Sequence, residues 1–413
     1  MESLKPVIIL GTKVDDISLE DAVEKTASLF LQDGIHQHGQ YITTPNPEIC
    51  LHGVKNDQYR RSVLNRSFLS LPDGFGLKLG AFVLGQRLHH RVTGVDFMIG
   101  LLERAAQEGW RVFLFGGQKG IAQHCSFVLS KRYAGLQIVG YDEGDVSHSS
   151  TIVEHINKTK PDLVFVALGA PKQETWIAEH VHTMPSVRLA VGVGGAFDFI
   201  AGKVKRAPRI FQKLGLEWAW RLYMAPRRAR RIYHATLKFL MLVVVWRIRM
   251  MCRYRRNVVG LIVKGGCSLV GKTSPSQGED RLFKSGHPLQ ILLVERTDEP
   301  CHWQLPQGGI NKGESKQSAI IREMSEEIGI TTRTILQCVK NFHRYRWPRE
   351  QQLYKGYKGQ KQDLFILKFT ADEQQIKLDP SELNAFQFVP CDDVLNIVHA
   401  VRKEQVKKAL SFL

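Results

Sequence analysis

The chain has 413 residues, a formal net charge of +17 and a hydrophobic share of 43%. That share excludes an intrinsically disordered protein, and the length predicts two or three domains. The seven cysteines are scattered without any C-x-x-C pair, which argues against a disulfide framework and a cysteine zinc site. The apolar run near the N-terminus is too short for a signal peptide, so we expect a protein of the reducing cytosol.

The first 200 residues alternate between predicted strands and helices. Short apolar runs that end in glycine occupy 111–117, 161–169 and 187–195, and helical patterns such as 95–109 accompany them. Such runs are typical of strands buried on both faces of a parallel sheet. The sequence therefore predicts a doubly wound α/β domain whose ligands bind at the carboxyl ends of the strands.

Polar clusters follow several of these predicted strands. They are TTPNPE (43–48), LPDGFG (71–76), HRVTG (90–94), GAPKQE (169–174) and KVKRAPRIFQKLGLEWAWRL (203–222). In composition and order they resemble the WecG/TagA/CpsF glycosyltransferases, over about residues 5–235. The resemblance implies a Rossmann-like parallel-sheet domain. It also implies metal-independent, inverting transfer of a sugar, commonly of the N-acetylmannosamine type, from a UDP donor to an undecaprenyl-diphosphate-linked acceptor in cell-surface polysaccharide synthesis.

The resemblance assigns roles to five residues of these clusters. Asp73 matches the catalytic aspartate, which would take the proton of the acceptor hydroxyl. Thr44 and Asn46 would lie beside the donor or the acceptor, and Arg91 and Gln173 match residues of the substrate pocket. From the residues alone, a turn aspartate, a helix cap and a surface charge remain the alternatives for Asp73, for the Thr44–Asn46 cluster and for Arg91.

Three arginines match the family pattern R-x-x-x-E-P-x-R-x-x-R, with Ala225 in the place of the glutamate. They are Arg221, Arg228 and Arg231. Arginine binds phosphate oxygens bidentately, which suits the charge that develops on the leaving UDP. The resemblance therefore predicts that these arginines hold the donor diphosphate.

A dinucleotide-binding dehydrogenase is the alternative for this domain. Its fingerprint is G-x-G-x-x-G, and the stretch VGVGGAFDF comes closest to it. Phe197 occupies the position of the third glycine, so the sequence favours the glycosyltransferase.

The net charge is concentrated between residues 203 and 256, where sixteen Lys and Arg accompany a single acid, Glu217. These cations flank an apolar stretch at 232–246, which is too short to span a bilayer. The pattern predicts a helix over 236–256 that lies on an anionic membrane surface. The resemblance to the glycosyltransferases implies that this surface is the cytoplasmic face of the inner membrane. A buried amphipathic linker between domains 1–235 and 257–413 is the alternative.

The C-terminal part contains the pattern G-x5-E-x7-R-E-U-x-E-E-x-G-U, where U is aliphatic. The matching residues are Gly308, Glu314, Arg322, Glu323, Met324, Glu326, Glu327, Gly329 and Ile330. This is the Nudix box. Three carboxylates three and four positions apart repel each other on one helix face. A bound Mg²⁺, or Mn²⁺ in its place, removes that repulsion, so Glu323, Glu326 and Glu327 are the predicted metal ligands. We expect Arg322 to orient a glutamate.

The surrounding residues resemble bacterial RNA pyrophosphohydrolases and dinucleoside-polyphosphate hydrolases, over about 256–413. The resemblance implies an α/β/α Nudix domain with a mixed sheet, and strands are predicted at 257–263, 289–296, 362–369 and 384–390. Residues 265–288 are predicted to form a surface loop. Glu382 matches an additional catalytic glutamate; whether it or a glutamate of the box is the hydrolytic base stays open.

The sequence thus predicts a bifunctional enzyme at the membrane surface. Its partners would be a UDP-sugar, a polyprenyl-diphosphate-linked acceptor, a nucleotide or RNA 5′ end, and a second copy in a homo-oligomer. The alternative is an RNA-associated Nudix hydrolase, in which the basic segment and the N-terminal domain serve binding.

Overall fold

The structure is a computed structural model that describes residues 5–31, 39–143, 146–204, 207–208, 211, 220, 226–265, 288–330 and 334–413, with the backbone alone for 226–235. Its contacts define two compact units. Unit 1 comprises residues 1–249 with 349–356, and unit 2 comprises residues 250–348 with 357–413.

Unit 1 is built on a parallel sheet in the order β4-β3-β8-β7-β5-β6. An antiparallel hairpin, β1 (Val7–Ile9) and β2 (Thr12–Val14), precedes it. The sheet strands are β3 (Gln40–Thr43), β4 (Leu69–Ser70), β5 (Arg111–Gly116), β6 (Gln137–Asp142), β7 (Leu163–Ala167) and β8 (Leu189–Gly192). This parallel sheet confirms the predicted Rossmann-like α/β class, and it directs the loops after β3, β4, β7 and β8 to one edge.

Helices cover both faces of this sheet. In chain order, the helices up to the end of this unit are α1 (Leu19–Leu31), α2 (Pro47–Lys55), α3 (Asp57–Tyr59), α4 (Phe75–Val83), α5 (Gly94–Glu108), α6 (Ile121–Arg132), α7 (Ser149–Thr159), α8 (Lys172–His180), α9 (Ala196–Ile200) and α10 (Pro226–Cys252). Alternate side chains of β5 enter opposite cores: Leu114 packs in the core with α5 and α6, whereas Phe113 and Phe115 pack with α7 and α8. Burial on both faces explains the continuous apolar runs.

Unit 2 has a seven-stranded mixed sheet in the order β11-β10-β9-β14-β13, with β12 paired to β9 and β15 to β10. Its strands are β9 (Tyr254–Lys264), β10 (Gln290–Arg296), β11 (Trp303–Gln304), β12 (Gln307–Gly309), β13 (Ile335–Arg346), β14 (Gly359–Lys368) and β15 (Leu383–Pro390). The helices that follow α10 are α11 (Lys316–Ile328), α12 (Arg349–Lys355), α13 (Val394–Ile397) and α14 (Lys403–Leu410), of which α12 lies in unit 1. Apolar cores on both faces of the sheet, one with α11 and one with α13 and α14, confirm the predicted α/β/α arrangement.

Two predicted boundaries differ in the structure. The helix predicted over 236–256 is the longer α10, and residues 254–256 already belong to β9. The predicted segment was bounded by its charged residues. Charged side chains indicate an exposed surface but do not distinguish a helix from a strand, and Arg255 and Arg256 are exposed on the strand. The predicted 265–288 loop lies, except for its two end residues, outside the described residues.

Candidate active sites

The polar clusters of unit 1 meet at the carboxyl edge of the parallel sheet. Backbone hydrogen bonds tie them together: the N–H of Leu71 donates to Thr43 O (2.8 Å), that of Asp73 to Pro45 O (2.9 Å) and that of Val92 to Pro72 O (3.1 Å). These bonds place residues 43–48, 71–76 and 90–94 side by side. The structure therefore brings three predicted clusters, far apart in sequence, into one edge.

Asp73 is half-buried in the loop between β4 and α4. Gly74 follows it with φ +108°, a conformation that side chains rarely adopt, so the turn after Asp73 requires glycine. A Cβ on Gly76 would lie 2.8 Å from Cγ of Pro47, which keeps this loop close against the TTPNPE cluster. Arg91 is likewise half-buried, next to the buried Val92.

Thr44 and Asn46 both have structural partners. The buried hydroxyl of Thr44 donates to Gly192 O (3.2 Å), which links the ends of β3 and β8. Asn46 is the N-cap of α2, and its Oδ1 accepts from the N–H of Ile49 (3.0 Å). The helix-cap alternative thus describes Asn46 correctly, and its predicted place beside substrate stays a prediction.

Gln173 joins two glycine loops at the same edge. Its side-chain oxygen accepts from the N–H groups of Gly169 (3.2 Å) and Gly194 (3.0 Å), and its amide nitrogen donates to Oε1 of Glu174 (2.8 Å). Glu174 is fully buried, with Oε2 at 3.4 Å from the hydroxyl of Tyr59, and its burial raises the pKa of the carboxyl. Gln173 is itself only 2% exposed. The sequence analysis names Gln173 as a residue of the substrate pocket, which stays a prediction, and it did not single out the buried neighbour Glu174.

A cavity of about 300 Å³ opens beside these glycine loops. It lies at the ends of β5, β7 and β8, and its lining includes Gly117, Gly169, Lys172, Gly194, Gly195 and Asp198. Its size is at the lower end of the range for small-molecule sites. Glycine backbones and a lysine are suited to hold a phosphorylated ligand.

The predicted arginines fall where little is described. Arg221 lies outside the described residues, and the backbones of Arg228 and Arg231 belong to α10.

Further along α10, Phe239, Val243 and Trp246 are buried on one face. The other face exposes apolar side chains, among them Leu237, Met241, Val245 and Ile248. Among the described residues, no helix has both the length and the apolar character that crossing a bilayer requires.

The glutamates of unit 2 lie on α11. Ser315 caps the helix by accepting from the N–H of Ser318 (3.0 Å), and Gly329 ends it with φ +70°. Ile320, Met324 and Ile328 are buried in the core, as their spacing by four predicts. The face that carries Glu323 and Glu326 is thereby turned away from that core.

Arg322 lies among the carboxylates. Its guanidinium contacts Glu314 through Nε (2.8 Å) and Nη2 (2.9 Å), and its Nη1 lies 2.8 Å from both Glu323 and Glu326. Nη2 also donates to Gly309 O (2.9 Å). Arg322 therefore contacts three glutamates, whereas the sequence predicts that it orients one, and it neutralises part of the repulsion that we assigned to the metal alone.

Glu327, unlike Glu323 and Glu326, forms no ion pair with Arg322 or another cation among the described residues, and it is buried. It is 8% exposed, and burial, followed by the charges of Glu323 and Glu382, raises its pKa to about 8. The pKa of Glu323 is also raised, chiefly by burial. A Cβ on Gly308 would lie 1.8 Å from Cδ of Glu323, so glycine is needed where β12 passes the helix.

Glu382 belongs to this group of acids through space rather than sequence. It is exposed in the turn before β15, where its carbonyl accepts from the N–H of Thr297 (3.0 Å). Its charge acts on both Glu323 and Glu327. The cluster is thus rich in carboxylate oxygens, the ligand type that Mg²⁺ prefers, and fits the predicted divalent ion.

Comparison with known proteins identifies both parts of the chain. The profile of the glycosyl transferase WecG/TagA/CpsF family matches residues 7–253, and that of the NUDIX domain matches residues 282–410. An N-acetylglucosaminyldiphosphoundecaprenol N-acetyl-beta-D-mannosaminyltransferase from Bacillus spizizenii is 38% identical over 194 residues, 47% of this chain and 75% of the relative. The protein of that name from Staphylococcus aureus is 32% identical over 226 residues, 55% and 87% of the two chains.

Among solved structures, a Caenorhabditis elegans Ap4A hydrolase in a binary complex covers 38% of this chain and 96% of its own, with 20% identity and a TM-score of 0.27. The Escherichia coli dihydroneopterin triphosphate pyrophosphohydrolase covers 39% and 99%, with 15% identity and a TM-score of 0.26. The family assignment comes from the profiles and the curated relatives. The chain belongs to the WecG/TagA/CpsF glycosyltransferase family and carries a NUDIX domain in its C-terminal part.

Proposed function

We propose that unit 1 transfers an N-acetylmannosamine-type sugar from a UDP donor to undecaprenyl-diphosphate-linked N-acetylglucosamine, in the synthesis of a cell-surface polysaccharide. The observation that carries this proposal is the convergence of the clusters around Asp73, Thr44 and Gln173 beside a glycine-lined cavity. The related N-acetylmannosaminyltransferases from Bacillus spizizenii and Staphylococcus aureus support the choice of sugar and acceptor.

In this proposal Asp73 takes the proton of the acceptor hydroxyl. The hydroxyl oxygen then forms a bond to the anomeric carbon while the bond from that carbon to UDP breaks, which inverts the centre. Arg221, Arg228 and Arg231 stabilise the negative charge on the departing diphosphate. No metal is needed for that step, because the guanidinium groups supply the positive charge.

The remaining residues of the edge hold the substrates. Thr44, Asn46 and Arg91 lie in or beside the clusters that carry Asp73, so they are the proposed contacts to donor or acceptor. Gln173 has a different role, because its buried side-chain amide binds Gly169, Gly194 and Glu174. We assign it the positioning of two glycine loops that line the cavity.

Unit 2 is proposed to hydrolyse a nucleoside-diphosphate-linked or 5′-polyphosphate substrate. Glu323, Glu326 and Glu327 would hold Mg²⁺, with Mn²⁺ as a substitute; when bound, the ion supplies positive charge beside the substrate phosphates. A glutamate of the box or Glu382 takes a proton from the attacking water as the new P–O bond forms and the bridging P–O bond breaks.

The exposed apolar face of α10 is the proposed membrane contact. Leu237, Met241, Val245 and Ile248 are 44%, 63%, 46% and 54% exposed, and the sequence places arginines on both sides of this stretch. Apolar side chains would enter the interface while cations bind anionic headgroups. We therefore propose that the enzyme works as a peripheral protein on the cytoplasmic face of the membrane that carries its acceptor.

Vesicle flotation tests this attachment. Wild type should float with anionic vesicles and be partly released at high salt, because screening weakens the electrostatic part. Met241→Gln should weaken flotation, whereas Phe127→Gln, which changes another exposed apolar residue (57%) on α6, should not. Equal flotation of all three proteins would contradict the contribution of α10.

Substrate panels test the two reactions. Purified protein is incubated with UDP-sugars and lipid-diphosphate-linked acceptors, and separately with dinucleoside polyphosphates, nucleotide sugars and 5′-triphosphate RNA in Mg²⁺. We expect UDP release only when a lipid-linked acceptor is present. Hydrolysis of RNA ends without any sugar transfer, together with nuclease-sensitive sedimentation, would instead favour the RNA-associated alternative.

A further inference from the structure

Unit 2 contains a second cluster of ligand-type side chains, formed by Glu299, His302 and His399. One donor atom from each residue lies within 4.8 Å of the others. His302 precedes β11, and the N–H of His399 donates to Trp303 O (3.1 Å), which fixes the two histidines beside each other. Their rings stack with centroids 4.2 Å apart and planes 14° apart, and Oε2 of Glu299 lies 2.9 Å from Nδ1 of His302.

The hydrogen bonding of these histidines is incomplete. His302 is 5% exposed, yet within the described parts of the chain neither of its ring nitrogens has a hydrogen-bond partner. Glu299 is near Nδ1 but not aligned for a hydrogen bond. Nδ1 of His399 is also buried and lacks a partner there. An unsatisfied buried polar group costs about 1–3 kcal/mol, so two such rings side by side indicate a ligand that binds imidazole nitrogen.

We propose that Glu299, His302 and His399 bind a transition-metal ion of the zinc type, separate from the magnesium held by the glutamates of α11. Two imidazoles and one carboxylate suit Zn²⁺ and its neighbours in the first transition series, whereas Mg²⁺ prefers oxygen ligands alone. Three protein ligands leave at least one position to water. The ion would join the segment before β11 to the segment that leads into α14.

Binding requires a movement of one ring. In two parallel imidazole rings, the lone pairs of the nitrogens point in parallel directions. To bind a single ion at about 2.0–2.1 Å from each nitrogen, both lone pairs must point towards that ion. His302 is buried, whereas His399 is half-buried and the side chain of Glu299 is 54% exposed. His399 and Glu299 are therefore the ligands that turn.

Nearby cations make this site weaker than a closed structural zinc site. The charges of Arg402 and Arg296 act on His302. Both are partly engaged: Arg296 binds Asp298 (2.8 and 2.6 Å), and Nη1 of Arg402 donates to the hydroxyl of Tyr345 (3.0 Å).

Cobalt titration tests the site. Tag-free, full-length protein is stripped with chelator, returned to millimolar Mg²⁺ to occupy the oxygen ligands of α11, and titrated with Co²⁺, followed by displacement with Zn²⁺. We expect one equivalent with visible absorption typical of nitrogen and oxygen ligands. His302→Gln and His399→Gln should each weaken this equivalent at least about tenfold, because one of three ligands is lost.

Two controls separate this site from other metal ligands. His182→Gln removes an exposed histidine and Glu327→Gln alters the Nudix box; both should keep the cobalt equivalent. Zn²⁺ should raise the thermal midpoint of wild type but not of His399→Gln, whose half-buried position favours correct folding. Unchanged cobalt binding by folded His399→Gln, or a thiolate charge-transfer band in wild type, would overturn the proposal.

Discussion

The two candidate active sites are assembled in opposite ways. In unit 2, three of the predicted acids come from the single helix α11, where positions three and four apart share a face. In unit 1, the residues come from separate loops; the bond between Thr44 and Gly192 joins positions 148 apart in sequence. One site depends on a local helix, and the other depends on the order of strands in a sheet.

This difference has a consequence for the effects of mutation. The acids of α11 repel each other within unit 2, so substituting one of them should alter metal binding and the stability of unit 2. The loops of unit 1 are held in position by hydrogen bonds to neighbouring loops. A substitution that shifts one loop should therefore alter the binding of substrate along the whole sheet edge.

Asp73→Asn should have the largest effect on sugar transfer. The amide keeps the size of the side chain but cannot accept the proton, so turnover should fall by about 10²–10⁴-fold. Binding of the UDP-sugar, measured by calorimetry, should persist because the loop is held by its backbone bond to Pro45. Asp21→Asn, at an exposed carboxylate of α1, is the control and should leave turnover unchanged. Full turnover by Asp73→Asn would remove it from the mechanism.

Glu327→Gln should abolish most hydrolysis by unit 2, by about 10²-fold or more, because the change removes one ligand charge at constant size. Phosphate release from dinucleoside polyphosphate measures it. Sugar transfer by the same preparation should be unchanged, which also shows that the protein is folded. Glu404→Gln, on the exposed face of α14, serves as the matched control. Hydrolysis at the wild-type rate, or hydrolysis by wild type without a divalent ion, would refute the assignment.

Most of the helix site could be predicted from the sequence, because helical spacing is local. Ile320, Met324 and Ile328 lie in the core and Gly329 ends the helix, as expected. The contacts of Arg322 with three glutamates depend on side-chain geometry, and only an orienting role for one of them was predictable. Strand β13 escaped prediction, because Phe342 is its only residue with a buried side chain and a register shift between Val339 and His343 interrupts its alternation.

The loop site was less predictable for a physical reason. The residue types of the polar clusters and their order along the chain were enough to recognise them. The hydrogen bonds of the Gln173 side chain with Gly169 and Gly194, however, depend on which strands are neighbours in the sheet. The stack of His302 on His399 likewise unites residues 97 positions apart, and no local pattern relates them. Sequence spacing predicts which side chains lie on one face of a helix or strand. The contacts between side chains of different loops depend on which strands are neighbours in the sheet.

The stability of unit 2 should depend on pH when no metal is bound. The folded state keeps a proton on Glu327 up to about pH 8, whereas the unfolded chain releases it near 4.5. The free energy of unfolding should therefore fall by on the order of a few kcal/mol as the pH rises from about 4.5 to about 8. Calorimetry in chelator should show this loss in wild type and a smaller one in Glu327→Gln. Equal pH dependence in the two proteins would mean that Glu327 titrates normally.

Gln173→Ala gives a smaller but more discriminating test of the loop site. The change leaves the N–H groups of Gly169 and Gly194 without their shared acceptor, so the cavity should lose its shape for the donor. We expect the KM for UDP-sugar to rise about tenfold, which corresponds to about 1.4 kcal/mol, with kcat changed little because the Asp73 loop has its own bonds. Gln123→Ala on the exposed side of α6 is the control. A fall in kcat at constant KM would place Gln173 at the reacting atoms instead, and a change in neither would show that the two loops keep their positions without it.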